Sequence, residues 1–425
     1  MGKVARSKGA GQTPDDGTIY VGCDIGSVHH SASIIDGRGN VLEKIDRVHN
    51  NIKGFRFLLG RINNWRRRTG AASVRFGFEP TGHYWKTIVN FMREHGIEVF
   101  FIKTTAVKAM RELTDSTPSK NDRRDALTLA HLLREGKVLK SKPPQGVFRE
   151  LRDLAVYRQR VMEARSACLL RLRALLDTFF PELLEVFSDM TAVGLRRLLE
   201  EAPFPADLSA RGPEWLTVHL KRWTRRGKSA EEKARALMEA AGQSAGLPIL
   251  AGDRIRLQSI ARTLELHTRE LTIIEREMER ALMESGYGEL LLSFPGIGVV
   301  SAATFLGELG DPANFENANQ WVSMAGIDPS ENSSGTRQGR KRISKKGRPI
   351  LRLNLYFMAL CAIRNCPELR AYYLARKKDI EEGRLDIVPN QLVFAVAIKQ
   401  LRMLFAMLRD KRAYEPGRIE LRKAA

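Results

Sequence analysis

From residue 19 to residue 103 the chain alternates short apolar runs, turn residues and amphipathic stretches in an order that few folds accept. Ile19-Tyr20-Val21-Gly22-Cys23-Asp24 is too short for a helix, rich in strand-forming residues and closed by an acid. Ser31-Ala32-Ser33-Ile34-Ile35 follows across a short turn as its neighbour. Asp36-Gly37-Arg38-Gly39-Asn40 supplies turn chemistry before a third strand over 41–48. Apolar residues at helical spacing then predict a helix over 52–67, with a strand over 73–78, a helix over 84–95 and a strand over 98–102.

Three meandering strands followed by alternating helices and strands is the order of a ribonuclease-H-like α/β fold. Beyond it, 122–133 reads as a short helix and 140–144 as a linker, so residues 18–145 form the first domain behind a flexible basic tail, 1–17. A helical arm is expected over 146–290. Leu151, Leu154, Val161, Leu169, Leu172 and Leu176 recur at helical spacing until Pro181, and 253–285 carries a second stripe free of Gly and Pro. The segment 181–252 between them reads as an insertion, irregular over 203–247, where Pro, Gly and Lys/Arg mix. Two long helices around an insertion predict an antiparallel arm or a dimerising coiled coil, with packing onto the chain's own core as the alternative. The remainder, 291–425, is expected to be mainly helical.

The chain has 70 Lys and Arg against 49 Asp and Glu, a formal charge of +21. Such an excess favours a polyanionic partner, because each cation placed on a phosphate releases condensed counterions. No apolar run approaches the roughly 20 residues that span a bilayer, and the polar start of the chain lacks the apolar centre of a signal peptide. The four cysteines are scattered without a disulfide or CxxC pattern, which points to a reducing cytoplasm and, with the charge, to the nucleoid.

Asp24 ends one predicted buried strand and Glu79 another, in Gly77-Phe78-Glu79-Pro80-Thr81-Gly82. Asp122 and Asp125 are three apart, so on a helix they share a face. An acid ending a central apolar strand is costly unless it is paired or binds a cation. Four such groups at one sheet edge would repel without a divalent metal, and two Mg²⁺ (or Mn²⁺) ions about 4 Å apart would clamp the attacking and leaving oxygens of a phosphodiester. Taken singly, Asp24 can cap a turn, and Asp122 and Asp125 can pair with Lys120, Arg123 or Arg124. Val21-Gly22-Cys23-Asp24-Ile25-Gly26-Ser27 also resembles the first phosphate loop of actin-like sugar kinases, but the duplicate Gly-rich, Asp-containing strand those enzymes need is missing.

Two further stretches carry nucleic-acid chemistry. Phe294-Pro295-Gly296-Ile297-Gly298 is a glycine turn before an apolar helix over 299–309, the helix-hairpin-helix-like arrangement in which Gly296 and Gly298 offer backbone N–H groups to a phosphate. An ordinary tight turn fits the same residues. Ser333-Ser334-Gly335 opens a run holding Arg337, Arg340, Lys341, Arg342, Lys345, Lys346, Arg348 and Arg352 without an acid. A hydroxyl among these cations can attack a phosphodiester. The same loop can merely grip the DNA backbone, and no nearby His identifies a base.

These motifs resemble the Piv/MooV group of DNA invertases and insertion-sequence transposases. The strand with Asp24, the Glu79-Pro80-Thr81-Gly82 turn and Asp122-Arg123-Arg124-Asp125-Ala126 are similar to that group's RuvC-like DEDD domain. Pro295-Gly296-Ile297-Gly298, Ala325-Gly326-Ile327-Asp328-Pro329, Ser334-Gly335 and Ile343-Ser344-Lys345-Lys346-Gly347 are similar to its second domain. The resemblance implies a metal-binding tetrad of Asp24, Glu79, Asp122 and Asp125, and Ser334 as the nucleophile that forms a phosphoserine bond to DNA. It also implies double-stranded donor and target DNA, a non-coding guide RNA, and a dimer or tetramer with composite sites. Asn121 stands where the group has a small hydroxyl residue, and the segment 181–252 is longer than the group's middle region.

Overall fold

The computed structural model describes residues 17–80, 82–114, 122–138, 144–223, 228–330, 333–334, 337–338, 342–385 and 387–417. It divides into two units, Met1–Pro144 and Gln145–Ala425.

In the first unit the predicted strands form one five-stranded sheet. β1 (Thr18–Asp24) pairs antiparallel with β2 (His29–Ile35), and β2 pairs antiparallel with β3 (Val41–His49). Past α1 (Ile52–Thr69), β4 (Ser73–Phe78) returns parallel to β1; past α2 (Trp85–Glu94), β5 (Glu98–Phe101) lies parallel to β4. The sheet order is β3-β2-β1-β4-β5. β1 is central and covered on both faces, which is why its sequence is a continuous apolar run; β3 lies at the edge and alternates charged with apolar residues.

One face packs Val21, Phe76 and Phe78 against Phe55, Leu58 and Ile62 of α1 and Ile88 and Met92 of α2. The other packs Tyr20, Ile35 and Ile102 against Val107 of α3 (Thr104–Thr114) and Leu129 and Leu133 of α4 (Asp122–Arg134). Helix α3 is an addition to the sequence reading. The linker expected over 140–144 lies almost wholly outside the described residues, as does the tail expected over 1–17.

The second unit is helical. α5 (Gly146–Phe179) and α10 (Ala251–Glu284) pack along each other within the chain. Glu150 meets Arg280, and Arg158 meets Glu275 at 2.7 Å, so rising numbers face falling ones and the pair is antiparallel. Between them come α6 (Leu183–Val186), α7 (Val193–Glu201), α8 (Pro205–Trp223) and α9 (Lys228–Gly242). The expectation of an irregular stretch over 203–247 is therefore corrected: most of it is helix. Leu208, Leu216 and Leu220 of α8 and Ala230, Ala234 and Leu237 of α9 are buried in a core shared with the distal halves of α5 and α10. α8 bends at Gly212 (φ 78°), where Pro213 restarts the helix.

A second core joins the proximal halves of α5 and α10 to α11 (Gly288–Leu292), α12 (Val299–Leu309), α13 (Ala318–Ala325), α14 (Pro349–Asn365), α15 (Pro367–Glu381) and α16 (Pro389–Asp410). By length and composition α16 could cross a membrane, although no uninterrupted apolar run of that size exists, because Lys399 and Arg402 break it. Its apolar window is 61% buried, and it packs on α14. All four cysteines are unpaired.

Candidate active site at the carboxyl edge of the sheet

Cys23 of β1 is in register with Phe78 of β4, so Asp24 and Glu79 are the next residues along two parallel, hydrogen-bonded strands. Neighbouring strands lie about 4.8 Å apart, which sets these two acids side by side at the carboxyl edge. Both are partly buried.

Helix α4 is laid across the same strand by a glycine. A Cβ added to Gly22 would overlap the carbonyl oxygen of Ala126 and the amide nitrogen of Ala130. The far end of α4 reaches the opposite edge, where Arg134 lies against Gly39 in the β2–β3 turn. α4 therefore runs antiparallel to β1, and its amino-terminal end, with Asp122 as first residue, points to the edge that carries Asp24 and Glu79. Asp125 is buried, 9% exposed, next to the close contact at Ala126. The side chain of Asp122 lies outside the described residues. Among the described residues no three His, Cys, Asp or Glu side chains already form a metal-holding cluster. The donors brought toward this edge are carboxylate oxygens, which suit a hard cation such as Mg²⁺ or Mn²⁺. Burial first, and then the charge of Asp24, push the Cys23 thiol far above its usual range.

Two residues absent from the sequence reading shape this edge. His30 is fully buried, stacked on Phe55, and its Nδ1 accepts the Gly26 N–H at 3.2 Å. Burial lowers its pKa, aided by His29 and opposed by hydrogen bonds with Asn50 and Gly26, which suits a neutral ring accepting at Nδ1. Asn50 donates to the Ser27 carbonyl at 3.2 Å and accepts from Thr87 of α2 at 3.3 Å. Together they tie down the loop that leaves Asp24. Little in the sequence signals His30, which stands between His29 and Ser31 at the polar start of β2.

In the second unit the basic loop is a β-hairpin. β6 (Pro329–Ser330) pairs with β9 (Arg342–Ile343), and β7 (Ser333–Ser334) pairs with β8 (Arg337–Gln338). Ser334 is in register with Arg337, directly before the tip. The side chains of Ser333, Ser334, Arg337 and Arg342, and all of Arg340 and Lys341, lie outside the described residues.

Lys345 and Lys346 are exposed, Lys345 in the left-handed region (φ 54°). Arg348 and Arg352 turn inward instead. Arg348 is held against Glu308, and Arg352 donates to the Ala325 carbonyl at 3.0 Å. Both guanidiniums are thus engaged by groups of the second unit itself. Gly296 (φ 88°) is exposed but abuts α14, with an added Cβ 2.9 Å from the Cys361 carbonyl. Gly298 is exposed, opens α12 and has free space around its Cα.

An acidic edge on a mixed sheet, followed by a helical unit with a basic hairpin, is the make-up of a transposase with a DEDD nuclease-like domain. Residues 21–181 match the DEDD family model of IS110-type elements, described as transposase, and residues 288–374 match the model described as transposase of the IS116/IS110/IS902 family. The chain belongs to this IS116/IS110/IS902 family of insertion-sequence transposases. It is 28% identical to the 44.8 kDa protein of insertion element IS116 from Streptomyces clavuligerus, over 94% of this chain and 96% of that one. It is 25% identical to the 43.6 kDa protein of IS110 from Streptomyces coelicolor, over 96% and 98%. A shorter match, 26% identical over 34% and 38%, is to the transposase of IS1111A from Coxiella burnetii.

Proposed function

We propose that this transposase cuts and rejoins DNA strands through a phosphoserine intermediate, with Asp24, Glu79, Asp122 and Asp125 holding Mg²⁺ or Mn²⁺ and Ser334 as nucleophile. The observation that carries the metal half is the glycine contact that lays the amino-terminal end of α4 toward the edge holding Asp24 and Glu79. The sheet order supports a RuvC-like reading of this domain. When bound there, the metal supplies charge neutralisation at the phosphodiester oxygens and a fixed geometry for the displacement.

Ser334 Oγ attacks phosphorus, the bond to one sugar oxygen breaks, and the serine proton is released. Attack by the freed hydroxyl of a partner strand on the phosphoserine then restores a diester and the serine, with no net loss of phosphodiester bonds. Arg337, Arg340, Lys341, Arg342, Lys345 and Lys346 surround this step in sequence and would stabilise its negative charge. Gly298 would add the backbone N–H groups at the start of α12 to the DNA contact, in a helix-hairpin-helix-like manner. The donor and target duplexes, a guide RNA and assembly as a dimer or tetramer complete the reading.

In Ser334→Ala the covalent protein–DNA adduct that survives denaturation should vanish. In Asp24→Asn strand cleavage should fall on the order of 10³-fold or more. Cleavage that persists in Ser334→Ala and is lost in Asp24→Asn would instead make the protein a metal-dependent nuclease in which the hairpin only binds. Ribonuclease treatment before the assay reads the RNA: unchanged target choice would remove it from the mechanism.

A further inference from the structure

Helix α12 carries a single charged residue, Glu308 near its carboxyl end, and that residue is 3% exposed. A buried carboxylate there is disfavoured by desolvation and by the negative end of the helix dipole. It is compensated by Arg152 of α5 at 3.8 Å and Arg348 at 3.9 Å, and Arg348 also donates to the Glu308 carbonyl oxygen. Burial and the like-charged Arg152 pull the Arg348 pKa down to about 10, with Glu308 opposing them, so Arg348 remains charged at neutral pH.

Arg348 also closes the root of the hairpin. Its N–H donates to the Met324 carbonyl at 2.8 Å, and Gly347 lies so close to Gly326 that a Cβ would overlap the Gly326 amide and the Met324 carbonyl. Lys345 N–H donates to the Gly326 carbonyl at 3.0 Å, Ser344 Oγ donates to the Asp328 carboxylate at 2.5 Å, and Arg352 holds Ala325. The segments entering and leaving the hairpin are thus fastened to each other, and Arg348 fastens them to α12 and, through Glu308, to α5.

We infer that Glu308 and Arg348 are positioning residues, whose buried ion pair orients the root of the hairpin and so sets where Ser334 meets the scissile phosphate. This rests on the reading of Ser334 as nucleophile. An apolar pair of similar size would stabilise the fold as well or better. What the ion pair adds is direction, because the guanidinium must satisfy the helix end and the carboxylate together.

The test uses the full chain. In Glu308→Gln, hydrogen exchange of the Ser344, Lys345 and Arg348 amides at the root of the hairpin should quicken about tenfold. The kcat for adduct formation should fall about 10- to 100-fold, with DNA affinity within about twofold. The double variant Glu308→Leu/Arg348→Met should recover Tm but neither the exchange protection nor kcat. If Glu308→Gln does not fold, Glu308→Asp is measured in its place, with smaller shifts in the same directions. Unchanged exchange, or a double variant in which kcat recovers together with Tm, overturns the inference. Ser334→Ala is assayed in parallel. An adduct retained there defeats the nucleophile reading and the inference with it, whereas an adduct lost there beside an unchanged kcat in Glu308→Gln defeats the inference alone.

Discussion

Gly22 occupies ordinary backbone space, and its importance lies in what touches it. In Gly22→Ala the new methyl group must displace the backbone of α4 at Ala126 and Ala130. Overpacking of this kind costs about 3 kcal/mol, and it moves the carrier of Asp122 and Asp125 away from Asp24. Thermal unfolding of the first unit should fall by about 6–12 °C, and metal-dependent cleavage should be lost even well below that temperature. Ile34→Val, at a fully buried site away from the acids, is the control. It should cost about 1 kcal/mol and keep cleavage; equal activity in the two variants would defeat the argument. Asp24 and Glu79 were legible in the sequence because an acid closing an apolar run is conspicuous. Gly22 was not, since its role depends on a helix more than 100 positions later in the chain. Arg348 was visible as one of the loop's cations, but its pairing with Glu308 was hidden for the same reason: the two are 40 positions apart and meet only in the folded unit.

At the scale of elements, periodicity found what was long or regularly spaced. Strands β1 to β5 and helices α5, α10 and α12 all lie within a few residues of their expected ends. Helices α8 and α9 were missed because Pro205, Gly212 and Pro213 look like breakers, and because the buried face of α9 is largely alanine, which carries little hydropathic signal. The hairpin strands are two residues each, too short for any alternation to mark pairing.

The C-terminal segment after α16 was equally invisible, yet it is strapped to two other elements. The Tyr414 hydroxyl donates to Glu368 of α15 at 2.5 Å, Gly417 N–H donates to the same carboxylate at 2.7 Å, and Tyr414 N–H donates to Ser293 Oγ at 2.9 Å. Burial alone would raise the Glu368 pKa, but these hydrogen bonds outweigh it and hold the value at about 2. A carboxyl whose pKa is depressed on folding contributes stability above its unfolded value, near 4.5, and loses it as pH falls through about 2. Partial exposure reduces the contribution to about 1–2 kcal/mol. Glu368→Gln should therefore lower Tm at pH 7 and bring it close to the unsubstituted protein's at pH 2. A Tm difference independent of pH between 7 and 2 would mean that the strap does not rest on this charge.

For the whole molecule the relevant quantity is how the positive charge is divided. Residues 1–144 hold 25 Lys and Arg against 14 acids, and residues 145–425 hold 45 against 35, so each unit carries about half of the +21 excess. Both units also have hydrophobic cores made only of their own residues. Residues 145–425 expressed alone should consequently fold and bind DNA, without metal-dependent cleavage because every acid of the proposed tetrad lies in the other unit. Binding by charge shows itself in salt: log K falls linearly with log salt, with a slope of about −0.9 per phosphate neutralised on duplex DNA. If both units touch the duplex, the full chain must show a steeper slope than the isolated 145–425 unit, and the difference counts the phosphates held by the first unit. Equal slopes would mean that the first unit's cations face something other than the duplex, and titrating RNA against the full chain and the isolated unit would then show whether that polyanion takes them.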